Sequence, residues 1–422
     1  MENGELKKRK PIWEYLFTIF TLIIYTNAFY QLLLRDLSNK DLIVPLLWLG
    51  IYTVTAILLL IHSRQVLRVA FQDKLLWLLV GLAFISIVWS EVPFATLKNS
   101  VALLGTTAFG IYLAARYTHR ELMQLLLLAF GFIAVTSLGF VLFLPSLGLE
   151  YKTNFMIWRG VFDNKNVLGA VISLVAIAWL LYLIDSIKAC KNIKAIVIGF
   201  VFFILSVSTL FFSNSMTSLV AFSIALIILL FYLVWLHFKS TGLVILIILG
   251  VCGFAFWVVN YQDNLFAILG RTSTLTGRTP LWQAVWEMIL NRPWLGYGYI
   301  SYWLGLEGPF SGIMYKLYWD PGAHIVYWCP PHAHNGYLDL WLQLGLTGVV
   351  FYALSLFNNL YKAFNLVREK SHLINMFPLL FLVFMSIHNL GESTILFRNW
   401  IFWVLYTAFS IQLSHKTPKP QY

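Results

Sequence analysis

Long runs of apolar residues, each close to the length of a membrane-spanning helix, dominate the pattern along this chain. A spanning helix needs about 20 mainly apolar residues. Within the runs the apolar positions are continuous and do not alternate with polar ones, which predicts helices and argues against a membrane β-barrel. About twelve such runs lie near 13–34, 42–62, 75–91, 99–115, 122–144, 166–184, 194–212, 217–237, 241–260, 337–357, 377–394 and 399–413.

The pattern therefore predicts an all-α, polytopic membrane protein with about twelve transmembrane helices. Residues 261–335, between the ninth and tenth runs, form a much longer connection than the others. This connection contains six tryptophans, and disordered segments are poor in aromatic residues, so we predict a large folded loop. The predicted domains are membrane domain 1–260 with nine helices, cap loop 261–335 with site residues, and membrane domain 336–422 with three helices and a cytoplasmic tail.

Composition agrees with this pattern, because 60% of the 422 residues are hydrophobic and 11% are charged, against about 25% charged in soluble domains. A soluble enzyme, a disordered chain and a secreted disulfide scaffold are excluded. Of the 29 lysines and arginines, 18 fall on the side of the membrane that holds the N-terminus. By the positive-inside rule, both termini are predicted to be cytoplasmic. The net charge of +11 thus describes topology, and nucleic-acid binding is not expected.

The segment richest in chemically active side chains ends the long loop and opens the tenth helix. It contains His332 and His334, followed by Asn335 and Asp339, either of which can cap the start of the helix. The positive end of a helix dipole favours a neutral imidazole, which a general base needs. The alternatives are an interfacial histidine that only packs, and a metal site, for which no third ligand lies nearby in the sequence. No metal is predicted, and either histidine can be the base.

Arginines on the predicted outer side are candidates for binding phosphate. Arg271 and Arg278 lie among hydroxyl residues, just before a short helix predicted over Pro280 to Leu290. Guanidinium groups and helix N-termini both suit phosphate. Arg159 lies before the sixth helix, beside Trp158. For each arginine the alternative is a contact with lipid headgroups or with a loop carboxylate.

A carboxylate and several aromatic rings complete the candidate site. Glu392 lies near the outer end of the eleventh helix, where a carboxylate is a functional candidate by default, although it can simply pair with an arginine such as Arg398. Flat aromatic faces suit sugar rings, and the candidates are Trp282, Trp303 and Tyr337. Arginines for phosphate, rings for sugars and a membrane location together indicate glycan transfer from a lipid pyrophosphate carrier.

These segments resemble the O-antigen ligase and polymerase superfamily of bacterial envelopes, and they are closest to its exopolysaccharide polymerases. The resemblance covers roughly residues 75 to 395. Its motifs are Arg159-Gly160-Val161-Phe162 with Asn166, Thr276-Gly277-Arg278-Thr279 with Trp282, Gly296-Tyr297-Gly298, and His332-Ala333-His334-Asn335-Gly336. Family members often carry a cation after a Ser-x-Ser pair, whereas this chain has Met216 there, and Arg271 is the candidate to replace that cation.

The resemblance implies a metal-independent glycosyltransferase without a cofactor, in the bacterial inner membrane, with its active site on the periplasmic side. It implies an undecaprenyl-pyrophosphate-linked donor, a glycan acceptor, surrounding membrane lipids and other polysaccharide-assembly proteins as partners. The family's catalytic base corresponds to His334, and its pyrophosphate-binding arginines correspond to Arg159 and Arg278. Supporting roles are expected for His332, Asn335, Asn166 and Glu392.

Two other functions remain open at the level of sequence. A ligase that transfers finished polymer to lipid A-core shares the donor and the residues of a polymerase, and nothing in the sequence identifies the acceptor. A transporter of a solute such as inorganic carbon also fits about twelve helices. Transporters place ionisable residues at mid-membrane and repeat their halves, whereas here these residues gather at the predicted outer surface. The polymerase is the favoured interpretation.

Overall fold

The computed structural model describes residues 10–30, 32, 40–152, 155–190, 192–238, 278–304, 319–320, 325–326, 330–369 and 372–415. The predicted ninth helix, 241–260, and Arg271 lie outside these residues. Each of the other eleven predicted spans overlaps a helix in the described part of the chain, although the helices that overlap 13–34 and 377–394 already end at Tyr25 and His388.

The described residues form fourteen helices and two small antiparallel hairpins. The helices are α1 Ile12–Tyr25, α2 Lys40–Ile61, α3 Ser63–Ala70, α4 Lys74–Ile85, α5 Pro93–Arg116, α6 His119–Phe143, α7 Pro145–Gly148, α8 Lys165–Lys188, α9 Ile193–Phe212, α10 Met216–Phe238, α11 Arg278–Asn291, α12 Gly336–Glu369, α13 Phe377–His388 and α14 Ile401–Ser414. Short 3-10 turns cover Ser86–Val88 and Leu373–Met376, and the hairpins pair β1 Leu149–Lys152 with β2 Phe155–Trp158, and β3 Trp319–Asp320 with β4 Ile325–Val326.

Six of the described helices are long and apolar enough to cross a membrane, and a seventh candidate is the pair α3–α4, which is bent by 94°. The prediction of a mostly helical, multi-pass membrane protein therefore holds, but twelve spans are not established. The helices α1, α13 and α14 are apolar but short. The helix α5 is long, yet it carries polar residues such as Asn99, Ser100 and Thr106, which lower its hydropathy.

Helix α8 forms the centre of the bundle, since 78% of its most apolar window is buried. It packs against α6, α9, α10 and α13, and every residue from Leu168 to Trp179 is buried, as expected of a core helix. The side chain of Asn164 caps its first turn by accepting from two backbone N–H groups. This fixed start holds Asn166 at one end of the bundle.

Helix α12 is broken at Gly345, whose backbone is left-handed with φ +66°. The segment from Pro293 to Gly298 lies against the break, where the N–H of Tyr297 donates to the carbonyl of Leu342 at 2.9 Å. A Cβ at Gly345 would lie 2.1 Å from the carbonyl oxygen of Trp294, so this close approach requires glycine. The broken helix thus anchors part of the predicted cap loop.

A second hydrophobic cluster joins α11 to the first half of α12. Its buried members include Leu281, Val285, Tyr297, Tyr302 and Leu342. The predicted short helix is confirmed, since α11 begins two residues before Pro280 and ends one residue after Leu290. Burial of these apolar side chains fixes Arg278 at the start of α11 relative to the start of α12.

Candidate functional site

Three segments that are far apart in sequence meet at the carboxylate of Glu392, in the turn between α13 and α14. Arg278 Nη2 donates to Glu392 Oε1 at 3.1 Å, and Asn166 Nδ2 donates to the same oxygen at 2.9 Å. His334 Nδ1 lies 3.3 Å from Glu392 Oε2. The arginine that pairs with Glu392 is therefore Arg278 and not Arg398. This single carboxylate connects α8, α11 and the loop before α12.

The turn that carries Glu392 is locked to the first residue of α12. The side chain of Asn389 closes the turn by donating to Thr394 Oγ1 at 2.7 Å and accepting from the Thr394 N–H at 2.8 Å. The N–H of Gly336 donates to the carbonyl oxygens of Asn389 at 2.8 Å and Glu392 at 3.0 Å. A Cβ at Gly336 would lie 2.1 Å from Asn389 Oδ1, so glycine permits this contact.

The loop that carries His334 is held on both sides of a strained residue. His334 has a left-handed backbone with φ +52°, a conformation that is unfavourable for a residue other than glycine and is often found at functional sites. On one side, Trp282 Nε1 donates to the Ala333 carbonyl at 2.8 Å. On the other, Asn335 Oδ1 accepts from the N–H groups two and three residues later. Asn335 is therefore the N-cap of α12, one of the roles expected for it.

Asp339 is a buried carboxylate that the sequence analysis did not include in the site. It accepts from the Ala333 N–H at 3.1 Å, from Trp303 Nε1 at 2.7 Å, and from Ser393 Oγ. It therefore connects the loop of His334, the segment that carries Trp303 and the turn that carries Glu392. An aspartate in the first turn of an apolar helix was the signal in the sequence, because a charge in a membrane segment is expensive and usually functional.

Hydrogen bonds assign the protons of the two histidine rings. His332 Nδ1 accepts from the His334 backbone N–H at 3.0 Å, so the proton of the neutral His332 ring lies on Nε2. His334 Nδ1 faces the carboxylate of Glu392, which favours a proton on Nδ1 and leaves a lone pair on Nε2. Of the two rings, His334 is thus the one that a carboxylate orients, as in catalytic histidines.

The pKa values of Glu392 and His332 agree with these proton positions. Burial raises the pKa of Glu392, but the hydrogen bond from His334 and the charges of the histidines outweigh it and lower the pKa to about 2. Burial, followed by the charge of His334, lowers the pKa of His332 to about 3. Near pH 7 Glu392 is therefore ionised and His332 is neutral.

The same residues are the set that can hold a metal ion in the described part of the chain. His332, His334 and Glu392 each offer one ligand atom, and these atoms lie within 4.8 Å of one another. Two histidines and a glutamate form a set that zinc uses, so Glu392 is the third ligand that the sequence alone did not reveal. However, Nδ1 of each ring is engaged in a polar contact and Arg278 binds Glu392 Oε1. An ion therefore requires some of these contacts to break.

Arg159 holds its own loop together. Its guanidinium donates to the carbonyl oxygens of Leu147 at 2.9 Å, Ser146 at 3.2 Å and Asp163 at 3.4 Å. The contact of this segment with Glu392 comes from Asn166 instead. Asn166 is thus the residue of this motif that reaches the cluster directly.

The three aromatic candidates use their polar atoms to hold the site. The indole N–H groups of Trp282 and Trp303 donate to Ala333 and Asp339, as described above. Tyr337 donates its hydroxyl to the Ser386 carbonyl at 2.9 Å. All three rings are partly exposed, so their apolar surface is not fully used within the fold.

The described residues thus define a multi-pass helical membrane protein with a polar site of histidine, glutamate and arginine at one end of the bundle. A family profile described as O-Antigen ligase matches residues 201–353, a range that includes Arg278 and His334. Exopolysaccharide production protein ExoQ of Rhizobium meliloti (strain 1021) is 30% identical over 101 residues, which are 24% of this chain and 22% of that protein. The aligned part thus spans about a fifth of the relative's length. These matches confirm the resemblance to the O-antigen ligase and polymerase superfamily.

Proposed function

We propose that this protein is a membrane glycosyltransferase that moves an undecaprenyl-pyrophosphate-linked oligosaccharide to an acceptor sugar hydroxyl during assembly of cell-surface polysaccharide. One observation carries the proposal: His334 Nδ1 lies 3.3 Å from the carboxylate of Glu392, which also binds Arg278. The resemblance supports the class of donor, and the geometry supports the choice of the base.

In the proposed reaction, His334 Nε2 takes the proton of the acceptor hydroxyl. The acceptor oxygen attacks the anomeric carbon of the donor, and the bond from that carbon to the pyrophosphate oxygen breaks. The lipid pyrophosphate leaves with the bonding electrons, so the anomeric configuration is inverted. The ionised Glu392 fixes the ring and stabilises the imidazolium that forms, as the aspartate does in a serine protease triad.

Arg278 is the proposed main contact of the donor pyrophosphate. Its guanidinium uses one N–H for the Gly391 carbonyl at 2.6 Å and one for Glu392 at 3.1 Å, which leaves donors for phosphate oxygens. These donors offset the charge that grows on the leaving group. The Nε2–H of His332 is an additional donor, and Arg159 and Arg271 are further candidates. A base and fixed cations suffice for this step, so we propose that it needs no metal and no cofactor.

The proposed sites of the glycan are the exposed faces of Trp282, Trp303 and Tyr337. Their polar atoms are engaged within the protein, which fixes the rings without covering them completely. We place the site on the periplasmic side of the bacterial inner membrane, with both termini in the cytoplasm, because this orientation follows the distribution of lysine and arginine.

The test is the turnover of purified His334→Ala protein with a lipid-linked oligosaccharide donor. General-base catalysis contributes about 10²- to 10⁴-fold, so we expect a loss of kcat on that scale. The control is His372→Ala, which changes a histidine whose side chain is 80% exposed, beside Asp185 at the other end of α8. Turnover of His334→Ala near that of the control would refute the assigned base. Turnover of the wild-type protein that disappears with a chelator would refute metal independence.

Two acceptors are compatible with this chemistry, and each has some support. The name of the relative, an exopolysaccharide production protein, favours a polymerase that extends repeats, which is our choice. The description of the family profile as O-Antigen ligase favours transfer of finished polymer to lipid A-core. A deletion strain distinguishes them: single repeats attached to the acceptor indicate a lost polymerase, and full-length polymer left on the carrier indicates a lost ligase.

A further inference from the structure

A cavity of about 240 Å³ lies next to the Glu392 cluster, and the mechanism above does not use it. Its walls include Asn27, Tyr30, Asp163, Phe397, Arg398 and Asn399. Val167 also lines it and directly follows Asn166, which binds Glu392. The cavity therefore lies at the same end of α8 as the proposed reaction centre.

Two opposite charges line this cavity without neutralising each other. In the described part of the chain, neither the carboxylate of Asp163 nor the guanidinium of Arg398 forms an ion pair. Arg398 Nε is buried and has no hydrogen-bond partner there. Buried polar groups in native proteins are nearly always satisfied, so a group without a partner at a cavity wall is available to a ligand.

The other polar groups of the cavity are fixed in direction. Asn399 Oδ1 accepts from the hydroxyls of Tyr52 and Thr106, so its amide nitrogen is left to donate elsewhere. The hydroxyl of Tyr30 is 3.2 Å from Trp48 Nε1, which donates to it, so its own proton is free for another acceptor. The cavity therefore offers several donors and, in Asp163, a strong acceptor.

The backbone around the cavity is strained. Asn27 at φ +60° and Asn399 at φ +57° line it, and Phe29 at φ +64° and Leu396 at φ +49° lie close to them in the chain. These are four of the eight non-glycine residues with left-handed backbone in the described part of the chain. Strained residues cluster at ligand-binding and active sites, so their concentration here is a second, independent indication of a binding site.

We propose that this cavity binds one sugar ring of the glycan substrate through hydrogen bonds to its hydroxyl groups. The inference rests on the proposed function and names the part of the substrate that is held. A pyranose ring presents hydroxyls that both donate and accept, which matches guanidinium, amide and phenol donors facing a carboxylate. Arg398 and Asp163 have no net charge together, which favours a neutral sugar over a phosphate. The ring of Phe397, 37% exposed, provides an apolar wall.

The test is saturation-transfer NMR of the purified full-length protein with D-glucose, D-galactose and D-mannose, and separately with inorganic pyrophosphate. The variants are Arg398→Gln and Asp163→Asn. The matched controls are Arg368→Gln at the end of α12 and Asp185→Asn at the end of α8. We expect at least one hexose to bind the wild type, and its affinity to fall about tenfold in each cavity variant. Binding should be unchanged in the controls and in His334→Ala.

Three outcomes would overturn the inference: no hexose binds, hexose binding survives in both cavity variants, or Arg398→Gln abolishes pyrophosphate binding while hexose binding persists. Asp163 is exposed, so we expect Asp163→Asn to fold. This variant alone then provides the test if Arg398→Gln does not fold. With a lipid-linked donor, we expect Asp163→Asn to raise KM about tenfold while kcat changes less than about twofold. If His334→Ala transfers sugar normally while the cavity variants lose hexose binding, the proposed function fails and the sugar site remains.

Discussion

Two buried glutamates, Glu14 and Glu392, are each paired with an arginine and a histidine, at opposite ends of the helix bundle. Glu14 lies in the first turn of α1, whereas the other end of α1 leads to the cavity beside Glu392. Glu14 is 1% exposed and Glu392 8%. The residue types are the same in both clusters, but their chemistry is different.

At Glu14 one arginine saturates the carboxylate. Arg116 donates from Nε to Oε1 at 2.6 Å and from Nη2 to Oε2 at 3.0 Å, and Tyr112 adds a hydrogen bond at 3.2 Å. His62 lies 3.8 Å away, which is too far for a hydrogen bond. Glu14, Arg116 and Tyr112 extend from regular helices, and the result is a closed structural clamp.

At Glu392 the carboxylate is shared among three partners, and all three come from a loop or the start of a helix. Arg278 uses two of its N–H groups in the contacts described above, and the side chains of Arg278 and His334 are 20% and 19% exposed. Residue composition alone therefore does not identify a site. A glutamate, an arginine and a histidine form a closed clamp where one arginine takes both carboxylate oxygens, and a partly exposed cluster where three segments share the carboxylate.

The largest expected effect that separates the two clusters comes from neutralising each glutamate. Glu392→Gln should lower kcat about 10²- to 10⁴-fold, because an amide no longer stabilises the imidazolium and can favour the wrong tautomer of His334. Glu14→Gln should leave kcat per folded protein nearly unchanged and lower the melting temperature, because Arg116 loses its buried partner. Transfer assays and thermal melts of both variants provide the measurement, and equal losses of kcat would contradict the comparison.

A smaller effect is expected from Asp339→Asn. The amide keeps the shape but loses the charge. Its Oδ1 can still accept from Ala333 and Trp303, but the hydrogen bond with Ser393 must reverse its direction, and all three hydrogen bonds lose the charged acceptor. A lost charged hydrogen bond costs about 1.5–3 kcal/mol, and we expect kcat to fall about 10- to 100-fold through displacement of His334. Asp185→Asn is the control, and a melting-temperature loss without a change in kcat would limit Asp339 to a structural role.

The smallest effect concerns pH. The folded-state pKa of His332 is lowered to about 3 from 6.5, so the neutral ring is the form that the fold favours. Its stabilisation is complete above pH 6.5 and is lost progressively as the pH falls from 6.5 towards 3. The melting temperature of the wild type should therefore decrease between pH 6.5 and 5, and the decrease should be shallower in His332→Gln. Identical slopes for the two proteins would contradict the assignment of a neutral His332.

Local features of the site could be predicted from the sequence, but its long-range contacts could not. The short helix α11 and the N-cap role of Asn335 follow from neighbouring residues, and both are confirmed. The link from Asn166 to Glu392 joins residues 226 positions apart, and no local pattern encodes it. The buried acceptor role of Asp339 was missed for the same reason, because Trp303 and Ser393 come from other segments.

The helical membrane architecture could also be predicted in outline, because each helix depends on a local run of apolar residues. Continuous apolar runs locate helices well, and eleven predicted spans overlap described helices. Whether a helix crosses the bilayer depends on its length and its polar residues, and α1 and α14 are each only 14 residues long. Apolar composition alone therefore did not fix the number of spans.

The most direct test of the central claim is the turnover of the double variant His334→Ala/Glu392→Gln with a lipid-linked donor, compared with each single variant. If the two side chains act as one catalytic unit, the carboxylate has no further role once the ring is gone. We predict that the double variant turns over within about twofold of His334→Ala alone. A double variant whose loss is the product of the two single losses would show independent roles and contradict the account.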